Sequence, residues 1–365
     1  MDNKTFYEKQ ISLSEWFENT KHKLTEKFRE EDNEKRERLN LLSKLIDLPY
    51  DKPVQFKATD LAQKTERLNK FVKERGNEFC ALRLIPTDPK LPKLRMRGIT
   101  IKEAVKWFEN QKIDPKNYRA EFIPHSENPI WSTIFVINQK GIFGEIISGM
   151  HNQLTQGFYE KAKPISFLHD FNQLKLEKPN FKAKKHLNEV LKKIKITDSN
   201  TKNKIQKHLK NKFIEDYLAG YWETISTQEY GLWFIDYNRI LGEMYNNFSF
   251  AFGHTRNSKQ LKGKAGSLGK ATGKVKIVDD SNLSKIRLEK NTILVCDMTS
   301  PDYVSLMRKS SAIVTNKGGI LSHAAIIARE FQIPCIVATD NATEILQNGD
   351  LVEVDADRGI VKILK

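Results

Sequence analysis

Residues 315–330 read TNKGGILSHAAIIARE and combine a glycine pair, a Ser-His pair and a run of helix-forming residues. The segment SAIVT (311–315) is typical of a buried strand, and the NKGG that follows is typical of a turn. Ser322 is a good N-cap residue, and the alanines and isoleucines after it predict a helix that ends before Pro334. This order of strand, turn and helix places His323 in the first helical turn.

The first turn of a helix favours a bound anion, because its N–H groups lack backbone partners and the macrodipole is positive there. The same field disfavours a protonated imidazole, so we expect His323 to be a neutral nucleophile near pH 7. Gly318 and Gly319 have no side chains to block a phosphate. The turn thus predicts either a phosphoryl-carrying histidine, with Thr315, Gly318, Gly319 and Ser322 binding phosphate, or an ordinary packing histidine.

The sequence around this turn predicts a compact α/β domain at 258–365. Helical segments alternate there with β-branched runs, which is typical of such a domain; the runs are KVKIV, TILVC, SAIVT, PCIVA and LVEVDADRGIVKIL. Glycines among small and basic residues predict a flexible connection in 262–278, with a hinge at 262–273. Arg329, two turns into the helix, supplies either another charge for phosphate or a structural salt bridge.

The upstream chain mixes helical and strand-like segments. FCALRLIP (79–86) predicts a strand, IWSTIFVINQKGIFGEIISG (130–149) predicts two strands joined at NQKG, and TIKEAVKWFENQ (100–111) predicts an amphipathic helix. We expect residues 180–250 to be helical. The predicted organisation is a helical segment (1–75), an α+β region (76–178), a helical lysine-rich region (179–257) and the α/β domain (258–365).

Composition indicates a hydrophilic globular protein from a reducing, intracellular environment. The 365 residues are 39% hydrophobic and 29% charged, enough for about two or three domains. No apolar stretch approaches the roughly 18 residues that cross a bilayer. Cys80, Cys296 and Cys335 are widely spaced and form neither a disulfide framework nor a CxxC pair. These features predict a cytoplasmic protein without a membrane partner.

The formal net charge of +15 attracts anions in general. Lysines are densest in residues 181–213, where no aromatic residues interleave with them as they do in many RNA-binding modules. The pattern favours a solvated helical face over a nucleic-acid surface.

The stretch TNKGGILSHAAIIAREFQIPCIV resembles the phosphohistidine, or swivelling, domain of the phosphoenolpyruvate-utilising enzymes. This family includes phosphoenolpyruvate synthase, pyruvate phosphate dikinase and the rifampicin phosphotransferases. The likeness spans residues 258–365 and also includes GKATGKVKIV, TILVCDMTSPDYVSLMRKSSAIVTNKGG and NGDLVEVDADRGIVKI. The resemblance implies that His323 is phosphorylated transiently and that its domain moves between an ATP-binding domain and an acceptor site.

Two upstream segments are similar to the ATP-grasp-type domain of the same family. FCALRLIP resembles the strand of its phosphate-contacting arginine, which implies that Arg83 binds nucleotide. WSTIFVINQKGIFGEIISGMHNQLTQG (131–157) resembles its later lobe, which implies that Glu145 and Asn152 hold Mg²⁺. The alternative for Glu145 is a hairpin residue that faces solvent. No glycine-rich loop with a lysine precedes residue 80.

The leading interpretation is an α/β phosphotransferase that passes a phosphoryl group from ATP or phosphoenolpyruvate, with Mg²⁺, through His323 to an unidentified acceptor. The alternative is a non-catalytic or partner-dependent phosphocarrier whose ATP domain is degenerate. A third interpretation, a basic nucleic-acid-binding protein with an inherited carrier fold, depends on charge alone. The sequence does not predict the oligomeric state.

Overall fold

The computed structural model divides into two compact units, Met1–Pro129 with Ser226–Tyr237, and Ile130–Ile225 with Asn238–Lys365. The predicted α+β region is thus split between the units, and its second half shares a unit with the predicted α/β domain. The structure describes residues 17–18, 24–88, 90–126, 128–157, 159, 162–250, 252, 260–281, 283 and 286–364. Parts of all four predicted segments, 1–75, 76–178, 179–257 and 258–365, lie outside these residues.

The first unit contains an antiparallel sheet in the order β1-β4-β2-β3. Its helices and strands are α1 (Thr25–Ile46), β1 (Val54–Lys57), α2 (Ala58–Ala62), α3 (Glu66–Arg75), β2 (Phe79–Pro86), β3 (Leu94–Thr100), α4 (Ile101–Glu109) and β4 (Tyr118–Pro124). The strand predicted for FCALRLIP and the helix predicted in 100–111 are confirmed. The sequence interpretation missed β1, which begins directly after Pro53, a residue that disfavours helix before it.

Helix α4 shows why the amphipathic prediction was correct. Ile101, Ala104 and Phe108 are buried on one face and pack with the sheet core. Thr100 caps the helix, since its hydroxyl accepts from the Glu103 N–H at 3.3 Å while the Glu103 carboxylate accepts from the Thr100 N–H at 2.8 Å. This reciprocal capping fixes where the helix begins.

The second unit begins with a sheet in which β11, β5, β6, β7 and β8 follow in that order. Its elements are β5 (Pro129–Asn138), β6 (Gly141–Ile147), α5 (His151–Gln156), β7 (Ile165–His169), β8 (Leu174–Leu176), α6 (Phe181–Ile194), α7 (Ser199–Leu209), β9 (Phe213–Ile214), β10 (Tyr217–Leu218), β11 (Gly220–Thr227) and α8 (Arg239–Met244). Strand β12 (Gly231–Asn238), which lies between β11 and α8 in the chain, belongs to the first unit except for its last residue. The predicted hairpin is confirmed, with Asn138 paired to Gly141.

The helical prediction for residues 180–250 was wrong for the part that forms β9 to β12. Aromatic and β-branched residues dominate GYWETIST and GLWFIDYN, and such residues favour strands. A short apolar run does not distinguish a strand from a buried helix by its periodicity. Trp222 on β11 is buried and stacks on Phe135 of β5, with ring centroids 6.3 Å apart.

The lysine-rich helix α6 has two distinct faces. Ala183, Leu187, Val190 and Ile194 are buried, while the lysines are exposed at positions 182, 184, 185, 192 and 193. The expected solvated helical face is therefore present in α6.

The rest of the second unit is an α/β domain around a mixed sheet with the order β13-β20-β19-β15-β16-β17-β18-β14. Its elements are β13 (Gln260–Lys262), β14 (Lys264–Ser267), β15 (Lys270–Ile277), β16 (Thr292–Cys296), α9 (Val304–Met307), β17 (Ala312–Thr315), α10 (His323–Glu330), β18 (Cys335–Val337), α11 (Ala342–Ile345), β19 (Leu351–Asp355) and β20 (Ile360–Ile363). Strands β15 to β18 are parallel, and the flanking pairs are antiparallel. The predicted alternation of strands and helices is confirmed.

The glycine-rich residues 262–273 are not a flexible connection, because they contribute to β13, β14 and β15. Gly273 shows what glycine does there. A Cβ atom at this position would lie 2.1 Å from the carbonyl oxygen of Asn291. The glycine serves close backbone packing at this position, and the predicted hinge at 262–273 was wrong.

No helix in the part of the chain that the structure describes is long and apolar enough to cross a membrane. Cys80, Cys296 and Cys335 are buried free thiols, which confirms that they form no disulfide with one another. Burial raises the pKa of Cys335 to about 12.

We expect Phe135→Ala to lower the free energy of unfolding by about 3–5 kcal/mol, because it removes a fully buried ring from the centre of the sheet. Phe181→Ala is the matched control, since that ring is 83% exposed and its removal should cost less than about 0.5 kcal/mol. Urea unfolding followed by tryptophan fluorescence measures both. Equal losses in the two variants would contradict the packing described for β5.

Candidate functional site around His323

The loops after the parallel strands meet at one edge of the sheet. Residues 297–300 follow β16, 316–322 follow β17, and 338–341 follow β18. Carboxyl ends of parallel strands lie at the same edge, which is where α/β sheets commonly bind ligands. His323 begins α10 directly after the second of these loops.

The side chain of Asn316 ties these loops together. Its Nδ2 donates to Oδ1 of Asp297 at 3.2 Å and to Oγ1 of Thr343 at 2.6 Å, and its Oδ1 accepts from the Thr343 N–H at 3.0 Å. The sequence interpretation missed Asn316. An asparagine directly after a buried strand is a known signal for a side chain that organises a turn.

The mouth of α10 contains His323 and a buried hydroxyl. His323 is partly exposed, as a reactive imidazole requires. Ser322 has the extended backbone of an N-cap, but its buried Oγ has no hydrogen-bond partner among the described residues, so the expected capping bond is not formed there. A Cβ at Gly318 would lie 3.5 Å from that Oγ. Ser322 therefore places an unused hydroxyl beside the turn.

Thr315 does not offer its hydroxyl to a ligand. Its Oγ1 donates to the carbonyl oxygen of Lys317 at 2.5 Å, and the side chain is buried. The carbonyl oxygen of Thr315 accepts from the N–H and the hydroxyl of Thr339. These contacts stabilise the turn and do not support the prediction that Thr315 binds phosphate.

The contacts of Arg329 support neither of its two interpretations. Its guanidinium carbon lies 3.8 Å from the ring centroid of Tyr245 and 4.4 Å from that of Phe248, and it donates to the carbonyl oxygen of Gly266. These are cation–π and backbone contacts, and among the described residues no carboxylate forms a salt bridge with Arg329. Arg329 follows His323 by six residues, which turns it to a different face of the helix. It stabilises the packing around α10.

Glu145 is fully buried on β6, so the solvent-facing alternative was wrong. Its Oε1 accepts from Nζ of Lys264 at 2.9 Å and its Oε2 accepts from the Ile320 N–H at 3.0 Å. Lys264 also lies 3.5 Å from Glu177. Burial alone would lower the pKa of Lys264, but the two carboxylates raise it to about 12. The ammonium therefore stays charged.

The residues at Glu145 do not fit a magnesium site. Both carboxylate oxygens already accept from N–H donors of the protein, and the described residues contain no group of three or more His, Cys, Asp or Glu that could hold a metal. Asn152, the second predicted ligand, lies on α5, and its buried Oδ1 lacks a hydrogen-bond partner within the described part of the chain. The Mg²⁺ prediction for Glu145 is not supported.

Arg83 lies in the first unit, within a buried cluster of charges. Its Nη1 lies 3.5 Å from Oε2 of Glu121, and its Nη2 donates to the carbonyl oxygen of Asp32 at 3.0 Å. Burial would raise the pKa of Asp32, but Lys93, Lys35 and Arg83 together hold it well below its usual value. A phosphate at Arg83 would have to replace one of these contacts. The residue therefore serves the packing of charges in this arrangement.

Comparisons with known proteins identify the domain that carries His323. Residues 288–359 match the family described as PEP-utilising enzyme, mobile domain. A probable phosphoenolpyruvate synthase from Methanothermobacter thermautotrophicus is 46% identical over 102 residues, which are 28% of this chain and 15% of that protein. The uncharacterized phosphotransferase YvkC from Bacillus subtilis is 47% identical over 102 residues, 28% of this chain and 12% of that protein. The carboxyl-terminal α/β domain is therefore similar in sequence to the mobile domain of the PEP-utilising enzymes, and it is called the mobile domain below.

These matches cover only 15% and 12% of the relatives' own lengths, so they concern the domain and not the whole proteins. Upstream of it, VanG D-Ala:D-Ser ligase from Enterococcus faecalis gives a TM-score of 0.30 at 12% identity, over 61% of this chain and 55% of that chain. A TM-score this low does not establish a shared fold. The α/β class of the chain is confirmed, while an ATP-grasp lobe stays a prediction.

We expect Ser322→Ala to change the free energy of unfolding by less than about 0.5 kcal/mol, because its hydroxyl makes no hydrogen bond to any residue that the structure describes. Asn180→Ala is the control, since its Oδ1 caps α6 by accepting from the Ala183 N–H at 2.9 Å; its loss should cost about 1 kcal/mol. Denaturant unfolding measures both. A loss of the same size in Ser322→Ala would mean that this serine does cap α10.

Proposed function

We propose that this protein is a phosphotransferase in which His323 accepts a phosphoryl group and passes it to an acceptor. One observation carries the proposal: His323 begins α10 at the loop edge of the parallel strands, within the domain that matches the PEP-utilising mobile domain. His323 is partly exposed as a residue, and the proposed transfer requires that an incoming donor reach its ring. The helix mouth supplies the electrostatic environment that an attached phosphoryl group needs.

The proposed chemistry needs a nitrogen nucleophile and a positive environment. One imidazole nitrogen attacks the phosphorus atom of the donor, the N–P bond forms, and the donor's P–O bond breaks with its electron pair leaving on oxygen. The phosphoryl oxygens are then stabilised by N–H groups of the first turn of α10 and by the unused hydroxyl of Ser322. In the second step an acceptor atom attacks phosphorus, the new bond to the acceptor forms, and the N–P bond breaks with its electron pair returning to the imidazole nitrogen.

The donor distinguishes two candidate functions. In the first, ATP or phosphoenolpyruvate phosphorylates His323 within this protein, with Mg²⁺ on the nucleotide. In the second, a separate protein phosphorylates His323, and this chain is a partner-dependent phosphocarrier. A specific observation favours the second candidate: Arg83 and Glu145, the residues predicted for nucleotide and metal, are both engaged in buried ion pairs.

We expect label on His323 when the protein is incubated with ATP labelled at the β or γ phosphate, or with labelled phosphoenolpyruvate, in the presence of Mg²⁺. The label should be acid-labile and base-stable, should be absent from His323→Ala, and should persist in His208→Ala, a control at an exposed helical histidine. Label that survives in His323→Ala would contradict the proposal.

If neither donor labels the pure protein, the two candidates separate in a second assay. Adding a cell extract of the source organism with the same donors should then label the wild-type chain but not His323→Ala, as expected for a partner-dependent carrier. Failure to label His323 under both conditions would overturn the proposed function.

We expect Ser322→Ala to slow the labelling of His323 by about 10-fold or more, since a hydrogen bond to a charged group contributes about 1.5–3 kcal/mol. The same variant should unfold like the wild type, so a slower reaction would not reflect a damaged fold. Quenched time courses with the working donor measure the rate. An unchanged rate would exclude Ser322 from phosphoryl binding.

A further inference from the structure

The turn before His323 has a contact that the phosphoryl chemistry does not use. Ile320, three residues before His323, donates its N–H to the buried carboxylate of Glu145 at 3.0 Å. A Cβ at Gly319 would lie 2.1 Å from Oε2 of the same carboxylate. The backbone of the turn therefore approaches Glu145 as closely as the absence of a side chain permits.

Lys264 provides the positive charge that the buried carboxylate of Glu145 needs. It begins β14 at one edge of the mobile-domain sheet, and its Nζ lies 2.9 Å from Glu145 of β6 and 3.5 Å from Glu177. An uncompensated carboxylate would be costly to bury. The pair of Lys264 and Glu145 thus joins the sheet of β5 to β8 to the mobile domain, and the same carboxylate accepts from the Ile320 N–H.

A second close approach lies beside the first. Gly157 ends α5 with a φ of 74°, and a Cβ there would lie 2.5 Å from Cα of Gly318. Helices α5 and α10 also contact each other. The turn therefore packs against the backbone of Gly157 and against the carboxylate of Glu145. The first contact leaves no room for a Cβ at residue 157, and the second leaves none at residue 319.

We propose that Glu145 and Lys264 are positioning residues that dock the turn of residues 318–322, so that His323 is presented in one orientation for phosphoryl transfer. This inference rests on the proposed function of His323 and replaces the magnesium role predicted for Glu145. The cation that pairs with this carboxylate is the ammonium of Lys264 and not a metal ion. The carboxylate orients the turn by accepting the hydrogen bond from the Ile320 N–H.

The docking can be tested without any phosphoryl chemistry, by hydrogen exchange of the peptide that contains residues 316–322. We expect Glu145→Ala to speed exchange at the Ile320 amide by about 10-fold or more, because the acceptor is lost. Lys163→Met is the matched control, since Lys163 pairs with Asp340 at 2.7 Å but both side chains are exposed. Unchanged protection in Glu145→Ala would overturn the proposal.

Glu145→Ala leaves Lys264 buried without its carboxylate, so a second variant guards against a general loss of fold. Glu145→Gln with Lys264→Met removes both buried charges and keeps an oxygen that can accept from Ile320. We expect this double variant to fold and to protect the Ile320 amide more than Glu145→Ala does. Equal exchange in both would mean that the carboxylate position is not what holds the turn.

The clash at Gly319 provides a coupling test. Gly319→Ala alone should increase exchange in residues 316–322, because its methyl group meets Glu145. In a Glu145→Ala background the same substitution should add little, since the atom it meets is gone. Fully additive effects would show that Gly319 and Glu145 do not act through one contact.

The role in transfer is tested with whichever donor labels His323. Glu145→Ala should lower the labelling rate constant by about 10-fold or more with the half-saturating donor concentration unchanged, and Glu145→Gln should restore part of it. An unchanged rate would overturn the positioning role. If the wild type takes no label at all, the proposed function of His323 fails, while hydrogen exchange still decides the docking.

Discussion

A carboxylate that is removed from water must be given a positive partner and hydrogen-bond donors, and Glu145 meets this constraint with Lys264 and the Ile320 N–H. The two partners come from separate parts of the mobile domain, the edge strand β14 and the loop before α10. The sheet that carries Glu145 and the loop that precedes His323 are consequently held by the same carboxylate. The conformation of the histidine turn therefore depends on a charge that lies well outside it in sequence.

Charge has different uses along this basic chain. The lysines of α6 are exposed on the face opposite its buried apolar residues. Because they stay in water, they add to the net charge without requiring carboxylate partners. Arg83 and Lys264 are instead surrounded by carboxylates, while Arg329 is covered by Tyr245 and Phe248. Residue type alone does not distinguish these environments, which is why Arg83 and Arg329 could be read from the sequence as phosphate ligands.

Local patterns predicted what depends on local physics. Alternating β-branched runs predicted the strands around His323, and the Ser-His pair predicted the start of α10. What the sequence did not reveal depends on distant contacts: the partner of Glu145, the loops joined by Asn316, and the close packing that places Gly273 in a strand. The helical prediction for residues 213–238 was wrong for a further reason. Short aromatic runs are compatible with a helix or a strand, and tertiary contacts determine which of the two forms.

The meeting of Gly157 with Gly318 has a consequence for how variation in this protein is interpreted. Gly157 carries no reactive group, yet a methyl group added there would clash with the backbone of Gly318 in the turn before the histidine. In a saturation mutagenesis experiment such a position would score like a member of the reaction centre. Intolerance to substitution at Gly157 would then reflect the short distance between two backbone segments, and not a chemical role of that residue.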